Sequence, residues 1–347
     1  MQLKQPAVRR PEMKKQITTL IRNVALALPV LIMYSSPATA EYDFEVVNFP
    51  GSIFSNAFGI NNAGKVVGNA DDGVTSFSFM YDMKSGEYTT ISETFGVLEI
   101  SNSGVMVGDV DGVCAIRDKN GNITTFAPPT FSLDPDNSFC QARGVNSNGK
   151  VSGFEVDAIG GWIGFIYDSQ HGTYEEFLPS GQTIAHAINA QGQNVGSVRL
   201  AADEAFVGSP EGRYGYLRQT NGSVKYFAID QSFPGQTRAR GISESGLIAG
   251  WYIDPDTFEV KSYFTTLSNG PEYEDITLAD DQVVYQKPCD SNVPSPPGPG
   301  YDFYTDVFAS QIRNDGVIVG LCSDYYFNET TGDFISYDVG YIATPIK

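Results

Sequence analysis

The residues best suited to ligand chemistry are aromatic and acidic side chains in the run YDFYTD at 301–306. Aromatic rings pack on sugar faces, and carboxylates accept hydrogen bonds from hydroxyl groups. The run follows a proline-rich stretch in the longest interval between repeated elements, and long loops in compact domains are often functional. We therefore predict a ligand-binding site at Tyr301, Asp302, Phe303, Tyr304 and Asp306. The alternatives are a decorated loop tip or the outer strand of the last repeat.

Catalytic motifs do not stand out in this sequence. His171 lies in a turn, and His186 occupies a repeat position that holds Phe58 and Arg240 in other copies, so both are interpreted as structural. Phosphate-binding and dinucleotide motifs are absent from the sequence. It therefore favours a non-catalytic binding or scaffold module for a glycan or a protein. A polysaccharide-acting enzyme, a hydrolase or lyase whose acidic residues and tyrosines converge on folding, is the alternative.

Three short acidic turns, at 109–112, 134–137 and 254–256, could supply oxygen ligands. Calcium requires six to eight oxygens, and none of these turns has the EF-hand pattern. We expect ordinary turn chemistry and no cofactor, with a structural calcium ion as the open alternative.

The four cysteines are Cys114, Cys140, Cys289 and Cys322. An even count without CxxC pairs indicates disulfides rather than a zinc site. Three pairings are possible. The shortest loops favour Cys114–Cys140 and Cys289–Cys322.

These residues are positioned by a repeat whose clearest copy is GINNAGKVVG at 59–68. The copies align on one apolar residue, followed by a glycine four positions later and a second glycine after four more. The apolar positions are Ile60, Ile100, Val145, Ile188, Ile242 and Ile312, spaced 40, 45, 43, 54 and 70 residues apart. This pattern predicts a hairpin whose first glycine adopts positive φ and whose second lies against a neighbouring backbone.

Each copy continues with an aromatic strand, a turn and an alternating strand, as in 77–91 and 215–227. Four strands per unit at a period of 40–45 residues are typical of a propeller blade. We predict an all-β protein, a β-propeller of six four-stranded blades. The strand near 42–48 is predicted to close the ring, with a frayed leader as the alternative. A β-solenoid or sandwich is the other fold considered.

The hairpin pattern resembles the HAF repeat family of probable extracellular proteins, over nearly all of the chain after about residue 43. The His-Ala-Phe triplet of that family is not matched, because the first copy has SFSF at 76–79. The resemblance implies a secreted, bacterial repeat protein and no catalytic residues.

Residues 1–40 have the pattern of a signal peptide, with a basic start, an apolar run at 24–34 and an A-x-A site at 38–40. We predict that 41–347 form one propeller domain with an insertion at about 286–306. The signal holds six of the 22 basic residues and one of the 41 acidic ones, which leaves a mature net charge of about −24. This acidity disfavours nucleic acid and membrane partners. We expect a monomer, secreted or periplasmic, whose glycan or protein partner is undefined.

Overall fold

The computed structural model describes residues 42–129, 139–157, 160–177, 182–205, 209–229, 236–268, 273–278, 282–284, 289, 295, 298–299, 301–328, 330–331 and 333–346. Over these ranges the chain is built of β-strands, with no α-helix. The strands form six antiparallel blades arranged in a ring, which confirms the predicted six-bladed β-propeller.

Each blade is numbered in chain order from its innermost strand outward. Blade 1 contains β2 (Phe54–Ile60), β3 (Lys65–Asp71), β4 (Ser76–Asp82) and β5 (Glu87–Ser92). Blade 2 contains β6 (Gly96–Ile100), β7 (Met106–Val110), β8 (Val113–Arg117) and β9 (Ile123–Thr125). Blade 3 contains β10 (Phe139–Val145), β11 (Lys150–Val156), β12 (Trp162–Asp168) and β13 (Thr173–Phe177).

Blade 4 contains β14 (Thr183–Ile188), β15 (Asn194–Leu200), β16 (Gly212–Arg218) and β17 (Val224–Ile229). Blade 5 contains β18 (Thr237–Ile242), β19 (Ile248–Ile253), β20 (Val260–Thr265) and the short β22 (Val283–Val284). Blade 6 contains β23 (Asp302–Ile312), β24 (Ile318–Phe327), β25 (Phe334–Pro345) and, from the other end of the chain, β1 (Tyr42–Val47).

The ring is closed by pairing between the two ends of the described chain. Strand β1 runs antiparallel to β25, with Tyr42 opposite Pro345 and Val47 opposite Gly340. The N-terminal strand therefore supplies the outermost strand of the last blade, as predicted. Because β1 covers the edge of β25, that edge cannot pair with another chain.

The interval between the fifth and sixth repeats lies only partly within the described residues. Its strand β21 (Tyr273–Ile276) pairs in parallel with β17, adding a fifth strand to the outer edge of blade 4. Both predicted disulfides are present. Cys114–Cys140 joins blades 2 and 3, and Cys289–Cys322 ties this interval to blade 6.

The repeated glycines have the two predicted roles. The first glycine of each repeat has a φ between 79° and 86°, as in Gly64 at 81° and Gly246 at 86°. The second lies against the innermost strand: a Cβ built on Gly68 would be 1.8 Å from the carbonyl oxygen of Asn56, and one on Gly196 would be 2.1 Å from that of Ile184. A side chain at the second position would therefore displace the strand.

The asparagine after the apolar residue links neighbouring blades. The Oδ1 of Asn146 accepts hydrogen bonds from the amides of Asn148 and Lys150, which orders its own turn, while its Nδ2 donates to the carbonyl of Asn189 in the next blade at 2.8 Å. Asn61 and Asn189 make the same kind of contact to Ser101 and Ser243. The repeat thus encodes both the turn and the contact between blades.

Candidate functional site

Every innermost strand contains a β-bulge at the same repeat position. The register shifts one residue after Ala57, Val97, Ala142, Ala185, Ala239 and Ala309. A bulge re-aims the inserted residue, and bulges are common next to functional sites. The six inserted residues line one axial cavity together with Glu99, and we call them the bulge layer: Phe58, Leu98, Arg143, His186, Arg240 and Ser310.

The bulge layer is strongly asymmetric in charge. Blades 3, 4 and 5 contribute Arg143, His186 and Arg240, whereas blades 1 and 2 contribute Phe58 and Leu98. The Nη1 atom of Arg240 is 3.3 Å from both ring nitrogens of His186. Being equidistant from the two nitrogens, it lies against the imidazole face rather than along one lone pair. One side of the channel is therefore basic and the other apolar.

A second set of residues lies two positions before the bulge layer on each innermost strand, on the same side of the strand and towards the face where these strands begin. We call this face the loop face and the set the outer layer, which consists of Asn56, Gly96, Gln141, Ile184, Arg238 and Phe308. Arg238 extends the basic side of the channel. Arg213, at the start of β16, lies beside Arg238, because the backbone of Arg213 forms a β-bridge with Gln236.

Three of these arginines stack on aromatic rings. The guanidinium carbon lies 4.3 Å from the ring centroid for Arg238 over Trp251. The corresponding distances are 5.4 Å for Arg143 over Phe154 and 5.8 Å for Arg213 over Trp162. A cation over a ring face is attracted by the quadrupole of the ring, and the stacking leaves the edge of the guanidinium to donate hydrogen bonds.

Each of the three stacked arginines has a buried nitrogen without a hydrogen-bond acceptor among the described residues. These atoms are Nε of Arg143, Nη1 of Arg213 and Nη1 of Arg238. The side chains are nevertheless only half-buried, so each keeps some surface in contact with solvent. Two buried acceptors of the outer layer, Oδ1 of Asn56 and Oε1 of Gln141, also have no donor. Such unsatisfied groups are uncommon in native proteins and point to a ligand or ordered solvent.

The basic groups lower one another's affinity for protons. Burial, followed by the charge of Arg143, lowers the pKa of Arg240 to about 9. Burial, followed by Arg213 and Arg240, lowers the pKa of Arg238 to about 10. Burial and then the surrounding arginines hold the pKa of His186 well below its usual range, so this imidazole is neutral at physiological pH.

Acidic groups near the arginines are few in the described part of the channel. Asp109 acts on Arg143 through its charge and accepts a hydrogen bond from Gln141 at 3.1 Å. Glu99 faces the same cavity as Arg143 and Arg240, but burial raises its pKa to about 8, so it is largely protonated at neutral pH. Among the described residues, the positive charge of the cluster is therefore poorly compensated.

The residues predicted from the 301–306 run lie at the start of β23, the innermost strand of blade 6, rather than on a loop tip or outer strand. Tyr301 donates a hydrogen bond to Asp333, and Asp306 accepts one from the amide of Val260 at 2.7 Å. Asp302, Tyr304 and Asp306 alternate onto the strand face that also carries Phe308 of the outer layer. Phe303 lies on the opposite face and packs against Tyr326.

That run therefore leads towards the basic cluster. Tyr304 stacks on Tyr325 at 5.3 Å, and Phe308 contacts Trp251 edge to face at 5.3 Å. Trp251 in turn carries Arg238. Nothing in these contacts tests ligand binding at 301–306, which stays a prediction.

Sequence reasoning did not identify the basic cluster. Its signal was available in the repeat alignment, because the position two residues before the apolar residue holds Arg143, His186 and Arg240 in three consecutive copies. The spacing does not reveal the bulge that turns these side chains towards the axis.

No group of three or more His, Cys, Asp or Glu side chains suited to a metal occurs in the described part of the chain. The predicted acidic turn at 134–137 lies outside it. Within the described residues there is also no helix long and apolar enough to cross a membrane.

No protein-family model and no curated protein matches the chain. Among solved structures it is similar to TolB from Acinetobacter baumannii, with 11% identity and a TM-score of 0.42 over 60% of this chain and 50% of that one. An oligogalacturonate lyase from Vibrio parahaemolyticus is 11% identical, with a TM-score of 0.44 over 88% of this chain and 97% of that one. A PL25 ulvan lyase is 11% identical, with a TM-score of 0.41 over 81% of this chain and 77% of that one. The chain spans half the length of the TolB chain, and likenesses at this level carry no argument about activity or ligand.

Proposed function

We propose that this protein is a binding module that captures an anionic group at the loop-face opening of its axial channel. The observation that carries the proposal is the set of three stacked arginines, each with a buried nitrogen that lacks an acceptor among the described residues. The chain has acidic groups in excess, with a net charge of −19, yet few of those that the structure describes face this cluster.

An external anion would lower the free energy of this cluster. A buried charge without a partner is costly, and a buried N–H without an acceptor costs on the order of 1–3 kcal/mol. An anion bound between the arginines would satisfy both. The guanidinium fork matches carboxylate, sulfate and phosphate oxygens in pairs, so these are the ligand groups expected.

The ligand is proposed to belong to an extracellular glycan rather than to nucleic acid. The strongly acidic chain would repel a polyanion that has to cover a wide surface, whereas a recessed basic channel can accept one anionic group. The signal-like leader, the resemblance to HAF repeat proteins and the two disulfides support a secreted or periplasmic location. We further propose that the protein acts as a monomer.

An enzyme is the second candidate, and one observation favours it. His186 is neutral, Glu99 has a raised pKa, and both line one cavity with Arg143 and Arg240. Perturbed acids and bases often gather in active sites. However, this cavity measures about 20 Å³, enough for a water-sized group only, so a sugar ring would have to stay in the outer layer, away from His186 and Glu99. Binding is therefore the function better supported. Release of new chain ends from an acidic polysaccharide, lost in His186→Ala, would favour the enzyme.

The proposal is tested by titration calorimetry with a tetrameric uronide and its fully methyl-esterified form. We expect the acidic tetramer to bind and the neutral ester to bind at least tenfold more weakly. Added salt should lower the affinity for the acidic tetramer. Arg238→Met should reduce affinity for the acid at least tenfold, whereas Arg117→Met, on the third strand of blade 2, should not. Equal binding of acid and ester, or full affinity in Arg238→Met, would overturn the proposal.

A further inference from the structure

The channel is blocked by the layer that follows the bulge layer on each innermost strand. We call it the plug layer, and its members are Gly59, Glu99, Gly144, Ala187, Gly241 and Gln311. Four of the six are glycine or alanine. The two long side chains, Glu99 and Gln311, occupy the space that the small residues leave.

Two of the three glycines of the plug layer lie directly against these two side chains. A Cβ built on Gly59 would lie 2.6 Å from Oε1 of Glu99, and one on Gly241 would lie 2.5 Å from Oε1 of Gln311. Gln311 donates a hydrogen bond from Nε2 to Oε2 of Glu99, and the amide of Ile100 donates to Oε1. Glu99 is 4% exposed and Gln311 is 8% exposed, so the plug is closed.

In the described part of the chain, this plug separates the bulge layer from the far face, so solvent reaches the bulge layer from the loop face. Glu99 lines both the cavity of the bulge layer and a separate cavity of about 50 Å³ on the other side, which the six repeated apolar residues surround. Arg143, Arg240 and Ser310 remain partly exposed above the plug. The basic part of the channel is therefore blind-ended.

The bulge layer is also recessed. Leu98 lies two residues into β6, about 7 Å along the strand, Phe58 four residues into β2, about 13 Å, and Ser310 eight residues into β23, about 26 Å. A carboxylate on a sugar inside a chain projects only a few ångströms from the ring. A polymer lying across the loop face could not bring such a group to this depth, whereas a chain end entering along the axis could.

The outer layer adds a requirement for hydroxyl groups. The buried Oδ1 of Asn56 and Oε1 of Gln141 lack donors among the described residues, while the stacked arginines lack acceptors. A ligand that fits both sets carries an anionic acceptor and neighbouring hydroxyl donors. An acidic sugar has several hydroxyl donors beside its anionic group, whereas the terminal carboxylate of a peptide has only one neighbouring amide N–H.

We infer that the channel recognises the terminal acidic sugar of a glycan chain, with its anionic group between the arginines and its hydroxyls on Asn56 and Gln141. This inference rests on the proposed function and narrows it, because the site would recognise chain ends and not chain interiors.

The experiment compares four tetrameric uronides in calorimetry: fully acidic, esterified at either terminal residue, and esterified at both internal residues. Esterification at one terminus should lower affinity at least tenfold, and the internal esters should change it less than threefold. Long uronide chains should bind one protein each, whatever their length. Several proteins per chain, or loss of affinity only with the internal esters, would overturn the inference while leaving anion binding intact.

Two further arms separate the alternatives. Gln141→Met should lower the affinity for the tetrameric uronide about tenfold but leave the binding of inorganic sulfate unchanged. The unfolding midpoint of the variant verifies that it is folded. A tetrapeptide with a free terminal carboxylate should bind at least tenfold more weakly than the sugar, and equal affinity would overturn the sugar assignment. If neither the uronide nor sulfate binds, the proposed function itself fails.

Discussion

The carboxyl group of Glu99 accepts a hydrogen bond from the side-chain amide of Gln311 inside the ring, although 212 positions separate the two residues in sequence. Glu99 belongs to blade 2 and Gln311 to blade 6, so the contact passes over blade 1. It is the point at which a channel running through the ring becomes a blind site. It also places an ionisable group next to the basic cluster.

Glu99 should make the protein less stable as pH rises. Its pKa is raised to about 8 in the folded state, chiefly by burial, and is near 4.5 when unfolded. Between these values the folded state binds more protons, so the free energy of unfolding falls with increasing pH. Glu99→Gln, which resembles the protonated acid, should abolish this slope. The difference in free energy of unfolding between this variant and the parent should therefore be roughly 3 kcal/mol more favourable to the variant at pH 7 than at pH 4. Denaturant titrations at several pH values measure it.

The exposed Glu87→Gln serves as the control for a general loss of negative charge. If the parent and Glu99→Gln keep parallel pH dependences, then Glu99 ionises normally in the folded protein.

Removing an arginine from the basic cluster should stabilise the ligand-free protein. Arg240 lies among like charges, so Arg240→Met is expected to raise the free energy of unfolding by about 1 kcal/mol at low ionic strength. Arg218 is the matched control, because it stacks on Phe177 but is paired with Glu175. Arg218→Met should destabilise by about 1–2 kcal/mol. Thermal denaturation of both variants is the measurement, and destabilisation by both would show that the cluster is already compensated.

The two roles of the repeat asparagine, in its own turn and in the contact with the next blade, should be separable by substitution. Ser101 and Ser243 occupy the same position in two other repeats and still accept the turn amides of Val105 and Leu247. Asn146→Ser should therefore still accept the amide of Lys150 but lose the bonds to the amide of Asn148 and to the next blade, at a cost of about 1 kcal/mol. Asn146→Ala loses all three bonds and should cost about twice as much. Equal midpoints for the two variants in urea would contradict this division.

The second glycine of each repeat should tolerate no side chain. In Gly196→Ala the new Cβ would lie 2.1 Å from the carbonyl oxygen of Ile184, so we expect a loss of at least 3 kcal/mol or failure to fold. Gly96→Ala is the control, because its nearest atom would be at 3.6 Å and its φ is not positive. Soluble yield and unfolding midpoint compare them. Similar behaviour would mean that β14 can shift away from β15.

The fold could be predicted because local sequence features repeat in phase. Each copy contains three recognisable residues. They are a glycine with positive φ, a glycine packed against a neighbouring backbone, and an apolar residue such as Ile188. Disulfide pairing followed from loop length alone. The parallel strand β21 could not be anticipated, since nothing in its residues indicates that blade 4 is its partner.

The basic site could not be predicted because it depends on a bulge. A residue's side in a strand follows from counting by two, and one inserted residue cancels that count. Arg143, His186 and Arg240 thus resemble ordinary strand residues until the register is known. The approach of Glu99 to Gln311 is set by ring closure, which sequence spacing does not encode.

Joining β1 to β25 also changes how the molecule can come apart. A linear array of repeats has two ends, and its terminal units can unfold while the middle stays intact. Here the first strand of the described chain completes the last blade, so every blade has two neighbours and none is terminal. No blade can unfold from an end of the array unless β1 first separates from β25. The molecule should therefore lose its structure in one cooperative step, and a protease should find few partly open forms to cut.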